Sequence, residues 1–153
     1  MNSPRSLSDK YIDIGLLVMR IGLGLMFIYH GAPKIFGGPE RWEKIGAAAG
    51  NFGFSFFPAF WGFIAGLAEF GGGICIMLGI FLRPACALLI INLIIASSTH
   101  INAGQGIKGA AHAIEDAIAF AGLLFTGPGR YTVKGLFEKK VQPVSLYKPG
   151  IED

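Results

Sequence analysis

The chain has 153 residues, 52% of them hydrophobic and only 15% charged, with a mean hydropathy of +0.54 and a formal net charge of +3. A soluble domain typically carries about 25% charged residues, so this composition excludes an ordinary soluble enzyme and points to one compact membrane domain. The small positive balance sits at the ends and in the loops, as orientation signals do, so nucleic acid is not an expected partner and membrane lipid is.

Residues 1–10 are polar, carry Arg5 and Lys10, and read as a mobile leader. The first apolar span is expected over 11–36, with Pro33 ending or kinking it. It contains Arg20 and is followed by no A-x-A site, so it reads as an anchor and not a cleaved signal. Arg20 and His30 are ten positions apart, or about 15 Å along a helix, and so lie at different depths. Residues 40–50 are weakly amphipathic and predict a short interfacial helix, with Trp42 at headgroup level. Phe52, Phe54, Phe56, Phe57 and Phe60 follow in an aromatic turn and read as lipid anchors.

The second span, 60–82, reads FWGFIAGLAEFGGGICIMLGIFL and has a single charge, Glu69, near its middle. It is long enough to cross a bilayer, which needs about 20 apolar residues. A carboxylate halfway across costs roughly 2.5–3.5 kcal/mol on insertion scales, so Glu69 must face other protein, a partner charge or trapped water. Gly62, Gly66, Gly72 and Gly79 give this span a smooth stripe along which backbones can approach. Arg83-Pro84 marks a turn, and the third span, 85–100, carries Asn92 inside it. The Gly-rich stretch 101–109 reads as a loop; it lacks Gly-Lys-Ser/Thr and no strand precedes it, so it is not a phosphate-binding loop. The fourth span, 110–126, is the most polar, with His112, Glu115 and Asp116 in its first turn and a half, and Gly127-Pro128-Gly129 stops it. Residues 128–153 predict a soluble basic tail with one short helix around 134–141.

The expected fold is therefore an all-α membrane protein: an antiparallel bundle of four transmembrane helices over 11–127, with an interfacial segment between the first two. Four spans put both termini on one side. Arg5, Lys10, Arg83 and the basic tail outweigh Lys34, Arg41, Lys44 and Lys108, which favours cytoplasmic termini. On that topology Arg20 and Glu69 come near enough in depth to pair. The pair would either line a polar cavity or simply fix helix register, since buried ion pairs are weak evidence for net stability. His30, His100, His112, Glu115 and Asp116 collect in the outer half, and Lys34 reads as a snorkelling residue near the outer interface.

His112, Glu115 and Asp116 have spacings of three and four and share one helical face. Such a face can hold a metal, move protons or bind a quinone head group, whereas acids near a helix N-terminus can also be explained by the macrodipole. Glu-x-x-His repeated on two helices, the stronger metal signature, is absent, so no metal centre is assigned. His30 and Lys34 share a face beside Gly31, and His100 follows Ser97-Ser98-Thr99. Cys75 and Cys86 have no CxxC spacing and read as packing residues, with a redox pair left open.

The stretches RIGLGLMFIYHGAPKIF, AEFGGGICIMLGIFLRPACALL, the His112–Glu115 region and the closing GPGRYTV, in this order, together resemble the DoxX family of small four-span bacterial membrane proteins. The resemblance covers most of 14–133. It departs at its end, where Val133 and Lys134 stand in place of a small residue and an Asp. By similarity it singles out His30, Lys34, Glu69, Arg83, Glu115 and Gly127 to Arg130, and implies a multi-pass protein of the bacterial inner membrane. Relatives in that family include subunits of thiosulfate:quinone oxidoreductases and proteins of thiol redox handling. The resemblance thus implies a membrane component of a redox system, binding a quinone or small sulfur compound in a polar pocket, with a partner redox subunit or a homo-oligomer both open. No haem or flavin motif is visible. The expected catalytic residues are Glu69, Glu115 and His112, and the expected substrate-binding residues are Arg20, His30, Lys34, His100 and Asp116. A small-molecule transporter, or a scaffold that recruits a partner, is the competing reading.

Overall fold

The computed structural model describes residues 6–138, and among them every regular element is helical. Helix α1 runs Leu7–Ile35. It starts earlier than expected because Ser6 and Asp9 form a reciprocal capping box, the Ser6 side chain accepting from Asp9 N at 3.2 Å and Asp9 Oδ2 accepting from Ser6 N at 3.1 Å. Two orphan amides are satisfied there, so residues 6–10 belong to the helix and its cap and are not a mobile leader. Pro33 lies inside α1, and the helix continues past it to a cap at Phe36.

Helix α2, Pro39–Gly46, leads into a 3-10 turn over Ala47–Phe52. Helix α3 spans Pro58–Leu78, α4 Leu82–His100 and α5 Gly106–Thr126, while the short α6 covers Val133–Glu138. The stretch 101–109 is not the loop the sequence suggested. It is a π-turn over Ile101–Gln105 followed directly by α5, and the break falls at Gly104, whose φ of 76° is open to a glycine. His112 therefore stands in the second turn of α5, where the helix dipole does less to explain two neighbouring acids. The expected short tail helix is present in part as α6, and its remainder lies outside the described residues.

Helix α1 packs on α3, α3 on α4, and α4 on α5; Ile90, Ile94, Ser97 and Ser98 share a groove with Ile114, Ala117, Ile118 and Ala121, so α4 and α5 form a hairpin. Small residues set the α1–α3 contact. A Cβ at Gly24 would stand 2.8 Å from the Gly73 carbonyl, and one at Gly31 would overlap the Phe70 backbone. Such close approach is how helices gain packing energy where lipid removes the hydrophobic drive. The glycine stripe of α3 is shared out. Gly62 receives the Trp42 backbone of α2, Gly66 receives Lys34 and Ile35 of α1, Gly72 receives Leu89 of α4, and Gly79 lies over the Arg20 guanidinium.

The dry core is small: Phe27, Ile76, Cys86, Leu89, Phe120 and Leu123 are its main members, with Phe27 and Phe120 edge to face at 4.8 Å. Cys86 is buried in it and Cys75 packs beside it, both as free thiols, in keeping with a packing role. Many large apolar side chains are exposed instead, among them Val18, Leu25, Leu88, Ile91, Ile118 and Phe125. A water-soluble monomer rarely exposes contiguous apolar surface on this scale. Three helical stretches, Leu7–Ile35, Pro58–Leu78 and the α4–α5 hairpin Leu82–Thr126, are long and apolar enough to cross a membrane.

Candidate functional site

Glu69 is buried at 5% exposure near the middle of α3. Its partner is not Arg20. The Lys34 ammonium lies 2.5 Å from Oε1, and the Asn92 amide donates to the same oxygen at 2.8 Å. The expected Arg20–Glu69 pair is thus corrected. The reason is the axial alignment of α1 with α3: Gly24 meets Gly73, Gly31 meets Phe70, and Lys34 meets Gly66. This brings Lys34 level with Glu69 and leaves Arg20 nearly four turns further down. Lys34 is accordingly not an interfacial snorkeller but one half of an internal ion pair.

Arg20, 1% exposed, is satisfied by main-chain carbonyls alone. Nε donates to Ile76 O at 3.2 Å, and Nη2 to Tyr131 O at 2.6 Å and Met77 O at 3.5 Å; Nη1 donates to Pro128 O. Ile76 and Met77 sit in the last turn of α3, at the negative end of the helix dipole, where Ile76 O also accepts from the cap amide Gly79 N at 3.1 Å. Arg20 therefore caps α3 from outside and ties the Gly127–Tyr131 turn to the bundle. The Asp13 carboxylate anchors the same turn, accepting from Arg130 N at 2.9 Å.

A cavity of about 280 Å³ opens beside Glu69. Lys34, Glu69 and Asn92 form its polar wall, and Ile45, Ile64, Leu88, Ile91 and Ile95 are among its apolar lining. Gly46, Ala48 and Ala49 roof it. The roof is pinned twice, by Trp42 Nε1 donating to Lys34 O at 2.8 Å and by Asn51 Nδ2 donating to Ser98 Oγ at 3.2 Å. Trp42 is therefore a clip between α2 and α1, packed on Phe63, and not simply a headgroup anchor. Two buried polar atoms on residues lining this cavity have no hydrogen-bond partner: Glu69 Oε2 and Trp61 Nε1. Buried polar atoms are nearly always paired, so these two orphans single out the cavity as the candidate site.

The remaining expected residues stand elsewhere. None of His30, His100, His112, Glu115 and Asp116 lines the cavity. His112 Nε2 lies 3.7 Å from Asp116 Oδ2, with the histidine 80% exposed. His30 is within electrostatic reach of Asp116 and packs edge to face on Tyr29. His100 Nδ1 shares a hydrogen bond with Gln105 Oε1 at 2.7 Å across the π-turn. Glu115 is exposed. Among the described residues no group of three or more His, Cys, Asp and Glu could hold a metal ion. Sequence reasoning missed Trp61 and gave Asn92 no role. The signal was there: Asn92 is the polar amide of the third span, and Trp61 stands two turns before Glu69 on the same helix.

Apolar helices of crossing length, an outward apolar surface and an internal ion pair define a multi-pass integral membrane protein. The comparisons make this more specific. The DoxX family profile matches residues 15–101, and the chain belongs to the DoxX family. It is 33% identical to the "Inner membrane protein YqjF" of Escherichia coli (strain K12), over 86% of this chain and 98% of that one. It is 30% identical to a Haemophilus influenzae protein described only as uncharacterized, over 86% of this chain and 97% of that one. No solved structure matches.

Proposed function

We propose that the protein is a quinone-binding component of a membrane redox system, with its ligand head group in the cavity beside Glu69. In this reading α1, α3, α4 and α5 are four antiparallel crossings of a bacterial inner membrane, with both termini cytoplasmic. The E. coli relative, named as an inner membrane protein, supports that membrane. The observation that carries the proposal is Glu69 Oε2, a buried carboxylate oxygen with no partner, on a residue lining a cavity with mostly apolar walls.

Ligand sites are typically apolar clefts of about 300–1,000 Å³ with a few convergent polar groups. At about 280 Å³ this one suits a single ring and not a large cofactor. Ile64, Leu88 and Ile91 line it and are themselves exposed, which gives a hydrocarbon tail an apolar way out between α3 and α4. This favours a quinone over a small sulfur compound, which would have no use for an apolar mouth. Glu69 is the group able to take a proton from a bound quinol. Glu115 and His112 are not given that role, because neither lines the cavity. The electrons of quinol oxidation require an acceptor, a partner redox subunit in this proposal.

A short-chain quinone should raise the unfolding temperature of the detergent-solubilised protein, since a ligand at a hundred times its Kd stabilises the folded state by about 2.7 kcal/mol. Ala68→Leu, which fills the cavity without touching its charges, should abolish the shift. No shift with any quinone or quinol, together with solute uptake into proteoliposomes, would favour the transporter reading instead.

A further inference from the structure

Two residues of the cavity lining carry a buried polar atom without a partner, one a donor and one an acceptor, and the two make different demands on a ligand. Trp61 Nε1 can only donate, and Glu69, paired with Lys34 as a carboxylate, can only accept. The two residues are eight positions apart on α3, roughly 12 Å between their backbones, and both are lining residues of the same cavity. The Trp61 ring packs in a tilted contact on Phe54, at 5.5 Å between centroids, and edge to face on Phe56 at 6.0 Å and Phe60 at 5.3 Å. It is a fixed element of the wall. Lys34 and Glu69 neutralise each other, so the cavity as a whole favours an uncharged molecule.

Accepting the preceding proposal that this cavity is the ligand site, we infer that Trp61 and Glu69 form a two-point receptor for a neutral, membrane-dissolved hydroxylated ring. One hydroxyl of the ligand donates to Glu69 Oε2, and a second oxygen accepts from the Trp61 indole N–H. A ring bearing only carbonyl oxygens satisfies Trp61 but turns an acceptor toward Oε2, leaving the carboxylate unpaired and repelled. The pocket therefore selects the hydroxyl form of a quinone-like molecule over its carbonyl form. Sites built to hydrogen-bond a substrate hydroxyl reject analogues lacking it strongly, because their own buried polar groups are left stranded. Trp61 is the specificity-determining residue this adds. Its role is to fix the far end of the ring so that the near hydroxyl meets Glu69.

The test compares three probes under anaerobic conditions: a decyl-substituted hydroquinone, the corresponding benzoquinone and the hydroquinone dimethyl ether. Equilibrium binding is measured on the purified full-length protein in detergent. The hydroquinone should bind at least about tenfold more tightly than either other probe, the worth of one hydrogen bond. Trp61→Phe keeps the aromatic packing but removes the donor, and should weaken hydroquinone binding about tenfold. Glu69→Gln supplies an amide N–H that can donate to a carbonyl, and should bring the hydroquinone and benzoquinone affinities together. Equal wild-type affinity for all three probes, or hydroquinone binding unchanged in Trp61→Phe, would overturn the inference while leaving the cavity as a binding site. Hydroquinone binding that survives Ala68→Leu would instead place the ligand outside this cavity and remove the basis of both proposals.

Discussion

Two cations of α1 meet opposite fates. Arg20 and Lys34 are fourteen positions apart on one helix, and both turn inward toward α3. Arg20 is surrounded by main-chain carbonyls, with every contact made by the protein itself. Lys34 meets a side-chain carboxylate whose other oxygen is buried without a hydrogen-bond partner, on a residue that lines a cavity. The difference separates structure from function in a bundle where any intramembrane charge is a functional candidate by default. A charge whose hydrogen bonds are complete holds helices together; a charge left half-satisfied beside a cavity is the one proposed to meet a ligand. A guanidinium suits the first task, since its donors fan out in a fixed plane to several acceptors, and an ammonium suits a compact pair.

The comparison breaks most visibly at Arg20. Replacing it with Met would strand the carbonyls of Met77, Pro128 and Tyr131, each costing about 1–3 kcal/mol if unpaired, and leave Ile76 O with Gly79 N alone. Stability should fall by about 4 kcal/mol or more, a loss confined to a few mechanisms of which this is one. Arg20→Lys should rescue little of it, because a single ammonium cannot reach carbonyls on both α3 and the following turn. Thermal unfolding in detergent measures both variants.

The second region should respond asymmetrically. Lys34→Met leaves Glu69 as a buried charge with Asn92 alone, at a cost of about 3–5 kcal/mol. Glu69→Gln leaves Lys34, whose side chain at 29% exposure is less sheltered than that of Glu69 at 6%, and should cost only about 1–2 kcal/mol. Equal losses would mean that the two ends of the pair are equally sheltered.

The smallest effect is expected on α5. His112→Ala removes a side chain that is 80% exposed and 3.7 Å from Asp116. Stability should change by less than about 0.5 kcal/mol, and affinity for a hydroquinone probe should be unchanged. A large loss of binding would return His112 to the site.

Much of the architecture was legible because hydropathy and turn residues report it directly. The four apolar stretches, the short segment around Trp42, and the stop at Gly127-Pro128-Gly129 all came from local pattern. Glu69 was legible for the same reason, as the one charge in an apolar span. Its partner was not, because pairing depends on how far α1 slides along α3. That offset is set by Gly24, Gly31, Gly66 and Gly73 fitting against particular backbone atoms, and by α2 folding against the first half of α3 through Gly46 and Gly62. Placing the spans by depth alone put Arg20 beside Glu69 and Lys34 at the interface. Trp61 was hidden among phenylalanines that suggest lipid anchoring, and only its unpaired Nε1 at the cavity sets it apart. The histidines drew attention by residue type, yet none reaches the cavity.

The pairing of Lys34 with Glu69 is the contact from which the cavity, the free oxygen and the ligand reading all follow. A double-mutant cycle with Lys34→Met and Glu69→Gln, read by unfolding of the purified protein in detergent, tests it directly. The account predicts a coupling of roughly 1–3 kcal/mol, with the double variant less damaged than the sum of the two single changes. Additivity to within about 0.5 kcal/mol would mean that the two side chains do not meet, and would contradict it.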